Sequence, residues 1–315
     1  MDKTRRTFIK KTALTASILP LMNFPLNTWA SIDDEEQLSV HVFSKVLQFL
    51  DYKSLGQIAS EMGFSGVDLT VRPNGHVLPE FVKPDLPKAI KDIKKSGTSC
   101  EMISTNIESV NNPLDVNIIE TAARLGVKYY RTNWYKYTGN KSMEDDLEIY
   151  KQQVKELSIL NKEFGIIGSY QNRDGRSVGS SFWEVKKILE TANPDYFGSQ
   201  YDIRHAIVEG GLSWENGFQL LYPHIKVIVL KDFKWGKVNG KWEIINTPIG
   251  EGMVDFDRYF KLLKKHQLRP PVSLHVEYPL GGAEEGSSVI AVDRKVVFDA
   301  LKKDLNTIHR FWKEA

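Results

Sequence analysis

Polar and charged residues collect in this sequence at the ends of short apolar runs, where a sheet would gather them at one edge. His41 and Ser44 end the first run; Asp68, Thr70 and Arg72 end the second and are followed by Pro73-Asn74-Gly75-His76. Later ends carry Arg131, Asn133 and Trp134, then Tyr170-Gln171-Asn172-Arg173, then Gln200, Asp202 and His205. The last two carry Lys231-Asp232 and His275, Glu277 and Tyr278. Carboxylates, a lysine and histidines within reach of each other are the groups that move protons near neutral pH. Paired donors and acceptors beside the aromatic faces of Trp134, Tyr170 and Trp235 suit a small carbohydrate, whose hydroxyls need partners and whose ring face needs an apolar platform. On this reading Glu277, Lys231 and His205 are the candidate catalytic groups. Arg72, His76, Arg131, Trp134, Gln171, Asn172 and His275 are the candidate substrate contacts. Each histidine also has a plainer reading, a hydrogen-bonded residue of a protein interior.

Eight runs have the length and apolar content of strands: 38–43, 66–72, 98–104, 126–132, 165–171, 196–202, 225–232 and 272–278. Between them lie amphipathic segments, such as Leu55, Ile58, Ala59 and Met62, whose spacing of three and four lays one apolar face on a sheet. Gly63, Gly97, Gly126 and Gly165 each stand just before a strand, where a helix ends through a left-handed residue. Eight strand–helix units of about 35 residues predict a (β/α)8 barrel, with its chemistry at the carboxyl ends of the strands. An open doubly wound sheet is the alternative, but no glycine-rich phosphate loop follows the first strand. Trp235 to Ile245 reads as a hairpin with an Asn239-Gly240 turn, either a cap on the pocket or a solvated decoration.

The first thirty residues are basic, then modestly apolar, then small, the layout of a cleaved export signal. Thr4-Arg5-Arg6-Thr7-Phe8-Ile9-Lys10 has the pattern read by the twin-arginine export machinery, so a periplasmic location is expected, with no membrane anchor after cleavage. Removing 1–30 takes the formal charge of +2 to −2 and leaves 31–315 as the working domain. An acidic mature chain argues against a nucleic-acid partner. Cys100 is the only cysteine and lies in an apolar run, so a buried, inert thiol is expected. Oligomeric state is not legible from this pattern.

Several of these segments resemble the sugar phosphate isomerase/epimerase family, the xylose isomerase-like TIM barrels. The matching parts are GFSGVDLTVR, Tyr201-Asp202-Ile203-Arg204-His205, Lys231-Asp232-Phe233, Gly250-Glu251-Gly252-Met253-Val254-Asp255-Phe256 and Val276-Glu277-Tyr278. The resemblance implies one divalent ion (manganese, magnesium, cobalt or zinc) that polarises a carbonyl while a carboxylate moves the neighbouring proton. Carried over by position, its ligands are Asp202 and Glu277, with Gln171 as a neutral oxygen donor. The family's strand-seven histidine is Val229 here. His205 either adds a nitrogen ligand or, as the family pattern favours, is a substrate-facing or supporting residue. Without an ion, Asp202 and Glu277 are strand-end carboxylates satisfied by Arg72, Arg131 or Lys231. Three functions follow: a sugar isomerase, epimerase or lyase; a metal-free carbohydrate-binding barrel without turnover; and, disfavoured by charge, the DNA-repair endonuclease branch of these barrels.

Overall fold

The computed structural model describes residues 37–315. The expected export signal over 1–30 lies outside the described residues, as does the start of the expected 31–315 domain.

The eight expected runs form a closed parallel barrel. Around it run β1 (Val40–Phe43), β2 (Gly66–Val71), β3 (Ser99–Thr105), β4 (Tyr129–Arg131), β5 (Ile167–Gln171), β6 (Phe197–Asp202) and β7 (Ile225–Leu230). The chain then leaves the ring as an antiparallel hairpin of β8 (Asp232–Val238) and β9 (Lys241–Thr247), and β10 (Val272–Leu274) closes the barrel between β7 and β1. The closing registers are Val40 on Val272 and Val272 on Ile228, all parallel. β1, β2 and β6 are buried at every position; β1 is largely apolar, whereas β2 and β6 also bury the polar Asp68, Thr70, Ser199, Gln200 and Asp202.

Outside the ring lie α1 (Tyr52–Met62), α2 (Val82–Lys95), α3 (Pro113–Arg124), α4 (Met143–Phe164), α5 (Phe182–Leu189), α6 (Ile203–Gly210), α7 (Trp214–Leu221), α8 (Phe256–Lys265) and α9 (Arg294–Glu314). Each buries one stripe: Leu55, Ala59 and Met62 in α1; Phe256, Tyr259, Phe260 and Leu263 in α8. The helix signals in the sequence act as expected. Asp51 accepts from the Ser54 N–H at the start of α1, and Gly63 ends it with φ +93°. With parallel strands, α/β alternation and right closure, this is a (β/α)8 TIM barrel. Cys100 is fully buried, and burial pushes its thiol up to about 12, which removes it as a nucleophile at neutral pH.

The hairpin begins three residues earlier than the sequence suggests, because β7 stops at Leu230. Asn239 and Gly240 both take positive φ, +51° and +81°, as a two-residue turn between twisted strands requires. Its tip is exposed, with Trp242 64% accessible, and no hairpin residue lines the cavity described below.

Candidate active site

The carboxyl ends of β4, β5, β6, β7 and β10 surround a cavity of about 400 Å³, lined among others by Arg72, Arg131, Trp134, Gln171, His205, Lys231, His275 and Glu277. Local rules put the central groups there. Asp202 is both the last residue of β6 and the N-cap of α6: its Oδ1 accepts from the His205 N–H at 3.0 Å. The Asp-x-x-His spacing is thus a capping spacing, and it turns the His205 ring over the end of the barrel.

Lys231, one residue past β7 and 4% exposed, joins these groups. Its Nζ donates to His205 Nε2 at 2.8 Å and lies 3.3 Å from Glu277 Oε2 and 3.2 Å from Asp202 Oδ2. Asp202 Oδ2 also accepts from Gln171 Nε2 at 2.8 Å. On the far side of the imidazole, His205 Nδ1 lies 3.0 Å from Asp174 Oδ1. Arg204 Nη1 also lies 3.0 Å from Nδ1, but Lys231 can only donate, so Nε2 is the acceptor of the neutral ring and the proton stands on Nδ1, facing Asp174. Burial lowers the His205 pKa, so the ring is neutral at pH 7. Burial works to raise Glu277, but the ammonium groups of Lys231 and Lys45 outweigh it and hold this carboxyl well below the usual range. Arg204 braces the cluster, donating from Nη1 to Asp174 and from Nη2 to Asn246 Oδ1 at 2.9 Å; Asn246 in turn donates to the Glu277 carbonyl at 3.2 Å.

A second chain of contacts supports His275. Buried Asp68 accepts from Ser104 Oγ at 3.0 Å and from Ser273 Oγ at 2.5 Å, and Ser273 Oγ lies 3.1 Å from His275 Nε2. Burial raises Asp68 to about 6 despite these donors and the nearby Arg131 and Arg72. The His275 ring stacks on Phe43 with centroids 4.1 Å apart, and burial keeps it neutral. Its Nδ1 faces Glu277 Oε1 at 3.9 Å.

The divalent ion implied by the resemblance does not fit these side chains. A lysine ammonium already bridges the two carboxylates that would be its main ligands, and Gln171 offers Asp202 its amide N–H. Among the described residues, no three His, Cys, Asp or Glu side chains converge as a ligand set.

Of the expected contacts, the structure brings Arg72, Arg131, Trp134, Gln171, His205, Lys231, His275 and Glu277 to one cavity. It does not bring His76 or Asn172 there. His76 sits behind the β2 end, its Nδ1 3.2 Å from Thr70 Oγ1 and its carbonyl accepting from Tyr52, and burial lowers its pKa to about 4. Asn172 extends the β5–β6 ladder by pairing with the Asp202 backbone, at 2.7 Å to its N–H and 2.9 Å to its carbonyl. The aromatic platform also differs. Tyr170 is buried and bonded to the Val178 carbonyl, and Trp235 projects from the hairpin. The Trp134 ring carries the guanidinium groups of Arg131 and Arg173 at 4.1 and 4.0 Å. Asp232 faces away from the cavity, accepting from the N–H groups of Phe233, Gly250, Gly252 and Val254. A β-carbon at Gly252 would lie 2.2 Å from Asp232 Oδ1, which explains glycine at that point of the loop. Lys45, Arg173, Asp174 and Arg204 are cavity residues absent from the expected site. Asp174 and Arg204 each stand within three residues of an expected one, but nothing in the spacing tells which way a loop residue turns.

Comparison with known proteins agrees with the architecture. The 3-keto-D-glucoside 4-epimerase of E. coli superposes with a TM-score of 0.63 at 11% identity, covering 86% of this chain and 100% of that one. D-psicose 3-epimerase of Clostridium cellulolyticum H10, solved with D-tagatose, gives a TM-score of 0.65 at 10% identity, covering 87% and 99%. A xylose isomerase-like TIM barrel protein of Mycobacterium smegmatis, solved with magnesium, gives 0.58 at 12% identity, covering 85% and 98%. At such identities the likeness is one of fold. Among curated protein sequences none matches this chain. The sequence model of the xylose isomerase-like TIM barrels matches residues 57–291, from α1 through the loop after β10, and the chain therefore belongs to that family.

Proposed function

We propose that this protein moves a proton at the carbon beside the carbonyl of a small sugar, as an isomerase or epimerase, or as a lyase where a leaving group stands beta to that carbonyl. The observation that carries the reading is Lys231 Nζ, 2.8 Å from His205 Nε2 and 3.3 Å from Glu277 Oε2, at the carboxyl-end cavity of the barrel. Lys231 donates to the carbonyl oxygen. The Glu277 carboxylate takes the proton from the adjacent carbon, and the electron pair of that C–H bond moves to the oxygen as an enediolate held by the Lys231 ammonium. Return of the proton to the neighbouring carbon, with that carbon's hydroxyl proton passing to the first oxygen, isomerises the sugar; protonation of the original carbon from its opposite face by solvent, with Glu277 releasing its proton to solvent, epimerises it. Neutral His205, fixed by Asp174, accepts from Lys231 and keeps its Nζ aimed. Asp202 supplies negative charge beneath the lysine. No divalent ion is assigned a step, because Lys231 occupies the place between the carboxylates. Family membership and the sugar epimerases among the structural neighbours support the carbohydrate class. The Thr4 to Lys10 segment supports export to the periplasm, which favours substrates that are free sugars or keto-glycosides over sugar phosphates.

The test is solvent-deuterium exchange into a panel of ketoses and keto-glycosides, followed by NMR in excess chelator. The wild type exchanges one C–H position of its substrate, and Glu277→Gln loses that exchange by a factor of about 10² or more while staying folded. Undiminished exchange in Glu277→Gln, or loss of wild-type exchange on chelation, refutes the mechanism. Tight sugar binding without exchange in the wild type points instead to a binding protein.

A further inference from the structure

The cavity carries more positive charge than proton transfer on a neutral sugar requires. Six cationic side chains line it against three carboxylates. Two of the six are spoken for: Lys231 by Asp202 and Glu277, and Arg204 by Asp174. Among the described residues, the guanidinium groups of Arg72, Arg131 and Arg173 form no ion pair; what holds them is the ring of Phe43 under Arg72 and the ring of Trp134 under the other two. Arg131 is the extreme case, 2% exposed at the end of β4. Its Nη1 donates to the Thr132 carbonyl at 3.0 Å, while Nε and Nη2 meet no acceptor. A buried guanidinium left with open donors is costly, and proteins keep such groups where an acceptor arrives.

The open pair is itself informative. Nε and Nη2 form one edge of the guanidinium plane, with two parallel N–H bonds that match two oxygens of a single oxyanion. Burial lowers the pKa of Arg131 to about 9, and the charges of Arg72, beyond β2, and Arg173, beyond β5, add to that effect against the partial support of Asp68. An incoming anion removes that repulsion. We propose that the substrate is an acidic sugar, whose oxyanion rests on the Nε and Nη2 edge of Arg131 between Arg72 and Arg173, while its carbonyl end lies at Lys231 and Glu277. The assignment of the two ends rests on the proton-transfer reading above; the anion site does not, since it stands on the arginines alone. Trp134 is then a platform that presents two arginines, which accounts for a ring at the mouth whose face is given to cations rather than to a sugar.

Calorimetric titration of the full chain separates the two questions, because binding needs no turnover. The panel is D-glucuronate, glucose 6-sulfate and glucose 6-phosphate, against D-glucose and the methyl ester of glucuronate. A charge-assisted pair of hydrogen bonds gives at least one acidic sugar an affinity about tenfold or more above its neutral counterpart. Which acidic sugar does so identifies the oxyanion. In Arg131→Gln that preference falls to about the neutral level, and in Arg72→Gln and Arg173→Gln it falls part of the way, with reduced dependence on salt. Should Arg131→Gln fail to fold, the other two variants carry the test. Equal affinity for acidic and neutral sugars, or a preference untouched in all folded variants, overturns the proposal. Acidic-sugar binding without deuterium exchange retains this site and refutes only the proton-transfer reading.

Discussion

Replacing Lys231 with Met removes the ammonium and keeps most of the buried stem, so it isolates the charge at the centre of the site. In the wild type Nζ compensates Asp202, which is fully buried, and Glu277, whose side chain is 25% exposed. After substitution Asp202 keeps the Gln171 amide and the His205 N–H, whereas Glu277 keeps no donor closer than His275 Nδ1 at 3.9 Å. Breaking a buried pair by removing one partner costs about 3–5 kcal/mol, and the surviving donors put this case near the lower end, about 3 kcal/mol. For a chain of this size that is a fall in Tm of about 5–10 °C. The pH dependence has a definite sign. Because the folded-state pKa of Glu277 is depressed, its stabilisation is fully present above the unfolded value of about 4.3 and is lost as pH falls below it. The difference in unfolding free energy between wild type and Lys231→Met is therefore at its full value from pH 7 down to about 5 and narrows as the pH falls below about 4.3. Urea unfolding at a series of pH values measures it. Manganese adds an independent arm: with the ammonium gone, Asp202, Glu277 and Gln171 are open to a divalent ion, so manganese raises the Tm of the variant and leaves the wild type unchanged. A difference below about 1 kcal/mol at pH 7 would place Lys231 among ordinary surface pairs and refute the argument. So would equal manganese stabilisation of both proteins.

Two further outcomes follow from the sequence segments on either side of the site. Asp232→Asn keeps the shape but points an amide N–H₂ at two of the four backbone donors that converge on this carboxylate, which costs about 2–3 kcal/mol by urea unfolding; a neutral effect would mean that the Gly250 to Val254 loop is held by other contacts. Replacing Arg5 and Arg6 together with Lys retains the protein in the cytoplasm on cell fractionation, because the machinery reads the arginine pair; unchanged export removes the twin-arginine assignment and with it the preference for unphosphorylated substrates.

Periodicity in the sequence determined the barrel. Strand and helix repeats, and glycines such as Gly63 and Gly165 at left-handed helix ends, are local rules that hold wherever the element lies. The same is true of the Asn239-Gly240 turn and of Asp202 as a helix cap, and so the expected strand ends meet at one mouth. Which residue at a strand end faces the mouth is not local. His76 and Asn172 stand in polar runs like those of Arg72 and Gln171, yet one is taken by Thr70 and the other by the Asp202 backbone. Asp232 follows Lys231 directly, but β7 has ended, and the hairpin turns its carboxylate towards the Gly250 to Val254 loop while Lys231 turns inward. The charge balance is the least legible part. Lys231, Asp202 and Glu277 are 29 to 75 residues apart in the chain, and each is an unremarked ion until the closed barrel excludes water and makes each the other's partner. Only that closure decides that a lysine sits where the family resemblance implies an ion, and that Arg131 is left buried with two donors and no acceptor.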